Sequence, residues 1–436
     1  MFGAKKVRLL YLIALVDLFA CSMAVPLLSV HMRSLGASHF TVGILSSLYA
    51  GLQLISSPVI GSWSDVRGHS FVLQLTLLLS AILYFALGTV TAIPVIALIR
   101  IGLGLLKHTQ TLCRTLLTDV ASTRDQLIMQ SRLVSFGSVG FIVGPVVGGH
   151  MAEMENGFHY VCCIVMLFFL INFAIVHFFL SNTPQEHKKN DTILGLSEDA
   201  TNLGISTRIW TDKKKDIQET SKESSRALFR SSDIFQAVTR LLHIRWSVYW
   251  DVFTLKFLLG FAQAVHYQSF SLILKEEYSI TPSGIGYTIS FQGLVGATAG
   301  FLSGGMGRFY KKDKYYALQM LHGFGVLTLS FILLSLKPNL TFFLVCLIPV
   351  SASSSLLRIV TSEVILQRTA PNQRGSLIGS GQSMSSVARL IAPLCSGLAY
   401  DKFGFCGTSM LRIAVTITAL SLSSIMVIHQ RKNKFL

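Results

Sequence analysis

Apolar stretches of about twenty residues, the length a helix needs to cross a bilayer, recur along almost the whole of this 436-residue chain. Val7 to Val30 and Phe158 to Leu180 are two of them. Charged residues make up only 13% of the sequence, where soluble domains carry roughly a quarter. The balance argues against a water-soluble fold. The first run is longer and richer in Phe and Leu than a signal-peptide core, and no small-residue cleavage site follows it, so it reads as a retained helix.

Breaks at charged residues, Gly and Pro divide the first half into six spans, at residues 8–30, 41–63, 71–91, 93–114, 133–151 and 158–180. Six more follow at 247–273, 284–303, 316–336, 341–360, 376–398 and 408–428. The expected fold is an all-α membrane protein: an N-terminal six-helix bundle over 1–180, a polar linker over 181–245 whose composition suits disorder, and a C-terminal six-helix bundle over 246–436.

A net charge of +16 would suit nucleic acid only if gathered on one soluble face, and here it is dispersed between apolar runs. Lys5, Lys6 and Arg8, then Arg67, Arg124 and Arg132, then Arg308, Lys311, Lys312 and Lys314, then Arg368 and Arg374, and last Arg431, Lys432 and Lys434 fall in alternate loops. Positive segments resist translocation, so those loops and both termini are expected in the cytoplasm. The seven cysteines show no metal-ligand spacing and read as small packing residues. No metal or cofactor is expected.

The two halves repeat. GSWSDVRGH at 61–69 matches GFLSGGMGR at 300–308; Arg114 with Asp119 recurs as Arg358 with Glu363; Pro145 with Gly149 recurs as Pro393 with Gly397. Three pairs in order, at nearly constant offset, argue for two homologous bundles related by a pseudo-twofold axis along the membrane normal.

The loop after the second span, with Gly61, Asp65, Arg67, Gly68 and His69, resembles the Gly-x-x-x-Asp-x-x-Gly-Arg signature of the major facilitator superfamily, and the resemblance covers essentially the whole chain. It implies twelve helices in two bundles and secondary transport by alternating access. It also implies a cytoplasmic gate in which Asp65 sits near the start of the eleventh span and His69 pairs with Asp119, with Arg308 and Glu363 as the second-half counterpart. His69 stands where the family usually has arginine, so a titratable group replaces a permanent charge. The fifth span, with Gly137, Gly140, Gly144, Pro145, Gly148 and Gly149, resembles the signature of the proton-coupled drug antiporter branch that includes the tetracycline exporters. A lone Gly-x-x-x-Gly means only close helix packing.

Charges inside spans are costly in hydrocarbon and usually face a cavity or a partner. At 1.5 Å per residue, Asp17, Lys107 and Lys256 approach one mid-membrane level, roughly 14 to 20 Å in from their helix ends, while Arg100 and Arg389 lie in the outer half. The resemblance places the first, fourth, seventh and tenth spans on the wall of a central cavity, and Arg100 where the family has an arginine associated with proton transfer. Asp17 is then either a binding or proton-coupling acid or the ion-pair partner of Lys107 or Lys256. His108 is expected to pack and hydrogen-bond. The partners expected are a small-molecule substrate, protons and the lipid bilayer, for a chain acting as a monomer. No constellation of groups at catalytic spacing points to an enzyme; a receptor or scaffold keeping the transporter fold is the alternative.

Overall fold

In a computed structural model of the chain, the described residues are 2–120, 126–180, 246–306, 310, 313, 316–369 and 374–432. Twelve α-helices account for nearly all of them. They are α1 (Phe2–Ser34), α2 (His39–Arg67), α3 (His69–Thr89), α4 (Ile93–Leu106), α5 (Thr109–Val120), α6 (Gln126–Ala152), α7 (Gly157–Ile175, continued by a π turn Val176–Leu180), α8 (Trp246–Glu276), α9 (Pro282–Met306), α10 (Ala317–Ser335), α11 (Leu340–Gln367) and α12 (Arg374–Lys432). Among the described residues, nine of these helices are long and apolar enough to cross a membrane.

Two features turn this set into twelve crossings. α12 is bent at Gly404, whose φ of 60° and ψ of −147° suit a residue without a Cβ, so its limbs 374–403 and 405–432 cross separately. The fourth expected span, 93–114, is not one continuous helix: α4 stops at Leu106 and α5 begins at Thr109, with Lys107 and His108 between them. The expected linker, 181–245, and Arg308 lie outside the described residues.

Each half has its own core, one drawn from residues 7–180 and the other from 249–426. Large apolar side chains also cover the periphery; Phe301 is 93% exposed and Ile55 67% exposed. A bilayer is the solvent such a surface requires. An even number of crossings puts both chain ends on one side, called here the termini side, and the loops after α1, α6 and α8 on the far side.

Candidate functional site

The break between α4 and α5 is built around polar groups. Its freed carbonyls are taken up from α2: Gln53 Nε2 donates to the Lys107 carbonyl at 2.9 Å, and the Ser56 hydroxyl to the Gly104 carbonyl at 3.2 Å. Non-helical backbone at membrane depth survives only with such partners. His108 Nε2 meets Ser56 Oγ at 2.7 Å, which agrees with a packing and hydrogen-bonding residue. The break also turns the Lys107 ammonium onto Asp17 of α1, with which it forms an ion pair. Asp17 is 1% exposed, and its other oxygen accepts from Gln110 Nε2 at 3.1 Å; Lys107 donates further to Thr109 Oγ1 at 3.2 Å and lies over the Phe169 ring. The alternatives for Asp17's partner therefore resolve to Lys107.

Lys256 of α8 stands apart from that pair. It is buried and donates to Ser362 Oγ of α11 at 3.1 Å. Arg389 of α12 donates to Ser386 Oγ at 3.0 Å, and Arg358 of α11 to Ser355 Oγ at 3.2 Å. Arg100 lies buried with its guanidinium 4.2 Å over the Tyr49 ring. One interior cation escaped the sequence reading: Arg412, in the second limb of α12, is enclosed against His266 of α8 and Phe331 of α10.

The glycines of α6 divide by what they touch. A Cβ at Gly140 would fall 2.3 Å from the Leu15 carbonyl, at Gly144 2.5 Å from that of Phe19, at Gly148 2.6 Å from that of Met23, and at Gly137 2.7 Å from the Leu18 side chain. That stripe lets α6 close on α1. Gly149 faces the other half instead, where a Cβ would meet the Pro282 carbonyl at 2.5 Å; a Cβ at Gly286 would lie 2.1 Å from the Pro145 carbonyl. The second copy repeats this seam. A Cβ at Gly43 would lie 2.3 Å from the Pro393 carbonyl, and one at Gly397 2.5 Å from that of His39.

Two carboxylates missed as a pair in the sequence complete the seam on the far side. Glu153 Oε1 accepts from the Ser283 hydroxyl at 2.6 Å and from its N–H at 3.3 Å, at the start of α9. Asp401 accepts from the N–H groups of His39 and Phe40, at 3.1 and 2.9 Å, at the start of α2. Each acid thus sits on a helix N-terminus of the opposite half, where the dipole favours a negative charge. The Ser283 hydroxyl holds the Glu153 carboxyl below its usual range. Their spacing from Pro145 and Pro393 is the same, a continuation of the repeat that sequence reading could have followed. Beside Asp401, His39 Nδ1 lies 3.2 Å from its carboxylate and Nε2 3.0 Å from Glu276, which Arg33 also engages at 3.0 Å.

On the termini side lies the loop between α2 and α3. A Cβ at Gly61 would have no neighbour within 4 Å, and Asp65 and Arg67 are exposed. Gly68, at φ 94°, turns the chain between α2 and α3. His69 Nε2 lies 3.3 Å from Asp119 at the end of α5 and 3.6 Å from Asp65. Glu363 is half-buried in α11.

Twelve crossings in two bundles, seamed at the far side and charged within, define a membrane transporter rather than an enzyme. The sequence profile of the Major Facilitator Superfamily matches residues 10–393 and again 252–433, and the chain belongs to that family. It is 23% identical to rat solute carrier family 22 member 18 over 94% of this chain and 92% of that protein. It is 26% identical to the class B tetracycline resistance protein of Escherichia coli over 46% of this chain and 50% of that one. Among solved structures, the human organic anion transporter MFSD10 superposes with a TM-score of 0.62 at 18% identity, covering 97% of this chain and 99% of that one. A bacterial homologue of the lysosomal transporter Spinster, inward-facing and occupied, superposes at 0.72 with 12% identity, covering 99% and 97%.

Proposed function

We propose that this integral membrane protein is a proton-coupled secondary transporter of a small organic solute, working by alternating access as a monomer with both termini in the cytoplasm. With that orientation, the cleft on the termini side opens to the cytoplasm and the far-side seam closes the opposite face. The loop of Gly61, Asp65, Arg67, Gly68 and His69, with Asp119, is then a cytoplasmic gate standing open, and Arg308 and Glu363 are its second-half counterpart. The relatives include a tetracycline resistance protein and an organic anion transporter, which support a solute carrier without choosing its solute.

The observation that carries proton coupling is the sealed Asp17–Lys107 pair at a helix break. Asp17 is the one acid within the spans away from their ends, and discontinuous helices mark binding and coupling sites in transporters. A proton on Asp17 would cancel the ion pair, leave Lys107 with Thr109 and the Phe169 face, and loosen α1 from the break. In reconstituted vesicles Asp17→Asn should fold and insert, yet lose uptake driven by a proton gradient while solute exchange without a gradient persists. If Asp17→Asn fails to fold and Asp17→Asn with Lys107→Gln recovers expression, the pair is structural and coupling lies elsewhere.

A further inference from the structure

Resting on the transporter reading above, we infer that the cleft takes an organic anion, its carboxylate, sulfonate or phosphate held by Lys256, Arg358 and Arg389 of the C-terminal half. Interior charges are compensated differently in the two halves. In the N-terminal half, Asp17 neutralises Lys107. In the C-terminal half the acids, Asp251, Glu276, Glu277, Asp313, Glu363 and Asp401, all stand near helix ends or in loops. Among the described residues no carboxylate lies within ion-pair distance of Lys256, Arg358 or Arg389. Each donates to a serine hydroxyl instead: Ser362, Ser355 and Ser386. A hydroxyl orients a cation without cancelling its charge. Uncompensated cations at membrane depth are expensive, and a bound anion is the partner that would relieve the cost.

The helix faces put these groups on one wall. Along α12, Leu390, Pro393 and Gly397 turn toward α2, and Gly381 and Ala388 toward α8. Ile391 and Leu398 are exposed on the outer face. At 100° per residue, Arg389 falls between the faces toward α2 and α8 and opposite Ile391 and Leu398, so it points inward. Along α11, the Ser354 carbonyl and the Ser362 hydroxyl meet α8, Ser355 faces α9, and Leu357 faces α10. Arg358 comes between the α8 and α9 faces and is accessible. Lys256 lies against Gly381, where a Cβ would be 3.1 Å from its ammonium. Measured along their helices from the termini side, the three stand roughly 14 to 22 Å deep. Across the seam, Tyr49 stacks under Arg100 and is within electrostatic range of Arg389, so the N-terminal wall adds positive charge and an aromatic face. Arg412 takes no part, being enclosed between α8, α10 and α12. Two guanidinium forks and an ammonium suit a planar or tetrahedral oxyanion.

The test uses the purified full-length chain in nanodiscs with two probes of one hydrocarbon frame, naphthalene-2-sulfonate and trimethyl(2-naphthyl)ammonium, followed by equilibrium dialysis. The sulfonate should bind saturably, and Arg389→Gln and Lys256→Gln should each weaken it about tenfold, the loss of one charged hydrogen bond, with Arg389→Lys intermediate. Equal or tighter binding of the ammonium, or sulfonate binding that is absent or indifferent to these changes, overturns the assignment. Should the Gln variants not fold, the reaction of Ser386→Cys with anionic and cationic methanethiosulfonates decides: the anionic reagent should react faster relative to a free thiol, and a faster cationic reagent overturns the inference. Uptake into proteoliposomes separates the two layers. Binding of the sulfonate without its passage sinks the transport reading and leaves the anion site standing; uptake of the ammonium untouched by Arg389→Gln does the reverse.

Discussion

Gly286 offers the sharpest perturbation of the far-side seam. A methyl group there would lie 2.1 Å from the Pro145 carbonyl oxygen, about 0.9 Å short of the 3.0 Å below which something must shift. The obstacle is backbone on a proline inside α6, so no side-chain rotation relieves it. Overpacking of this kind costs roughly 1 to 3 kcal/mol. The cost falls on the conformation described here, because opening the far side withdraws α6 from α9. Gly286→Ala should therefore raise the ratio of far-side-open to far-side-closed protein about 5- to 150-fold. Spin labels on Met154→Cys and the exposed native Cys406, one on each half at the far side, would report this by double electron–electron resonance as a longer separation. Gly43→Ala, against the Pro393 carbonyl, should act in the same direction. Gly61→Ala is the control, since its methyl would meet nothing within 4 Å. An unchanged distance distribution in Gly286→Ala, or an equal shift in Gly61→Ala, would refute the reasoning.

The acid latches predict a pH effect. Because Glu153 is held below its usual range in the closed state, its contribution is present at neutral pH and is lost as pH falls through that lowered value. Acidifying the far side below the ordinary carboxylate range should favour opening by the same spin-label distance, and Glu153→Gln should blunt that response; a response unaltered by Glu153→Gln would discount its latch. His69→Arg should leave the fold intact, and a double-mutant cycle with Asp119→Asn should give a coupling below about 1 kcal/mol, as Asp119 is 40% exposed. A larger coupling measured by thermal unfolding would mean the pair is shielded from solvent. Neither Asn-x-Thr sequon, Asn190 to Thr192 or Asn339 to Thr341, should carry glycan: Asn190 is expected in the cytoplasm, and the Asn339 side chain caps α11 by accepting from the Phe342 N–H at 3.0 Å. A mobility shift on glycosidase treatment that maps to Asn190 would invert the topology.

Much of the architecture was legible because hydrocarbon imposes length and polarity rules on each span separately. The twelve runs and the repeat of Pro145–Gly149 as Pro393–Gly397 could be read along the chain. Within the site, the approach of Asp17 and Lys107 to one level was readable from rise per residue, and the pairing of His69 with Asp119 from the family resemblance. Other features were not. The run 93–114 has its one proline, Pro94, at the start of α4 and no Pro or Gly next to Lys107, so its break appears only once Gln53 and Ser56 of α2 are in place to donate to the carbonyls. The six glycine and proline positions of α6 look like one motif, yet Gly140, Gly144 and Gly148 pack on α1 while Pro145 and Gly149 meet the other half.

Local sequence thus determined what each segment could be, since a helix of given length and polarity has few places to go beside a bilayer. Tertiary structure decided which charge answers which. Asp17 could have reached Lys107 or Lys256, and the orientation of the α4–α5 break selected Lys107. That choice left Lys256, Arg358 and Arg389 with serines for partners. Coulomb attraction acts over a few ångströms, and only the packing of helices distant in sequence sets those distances.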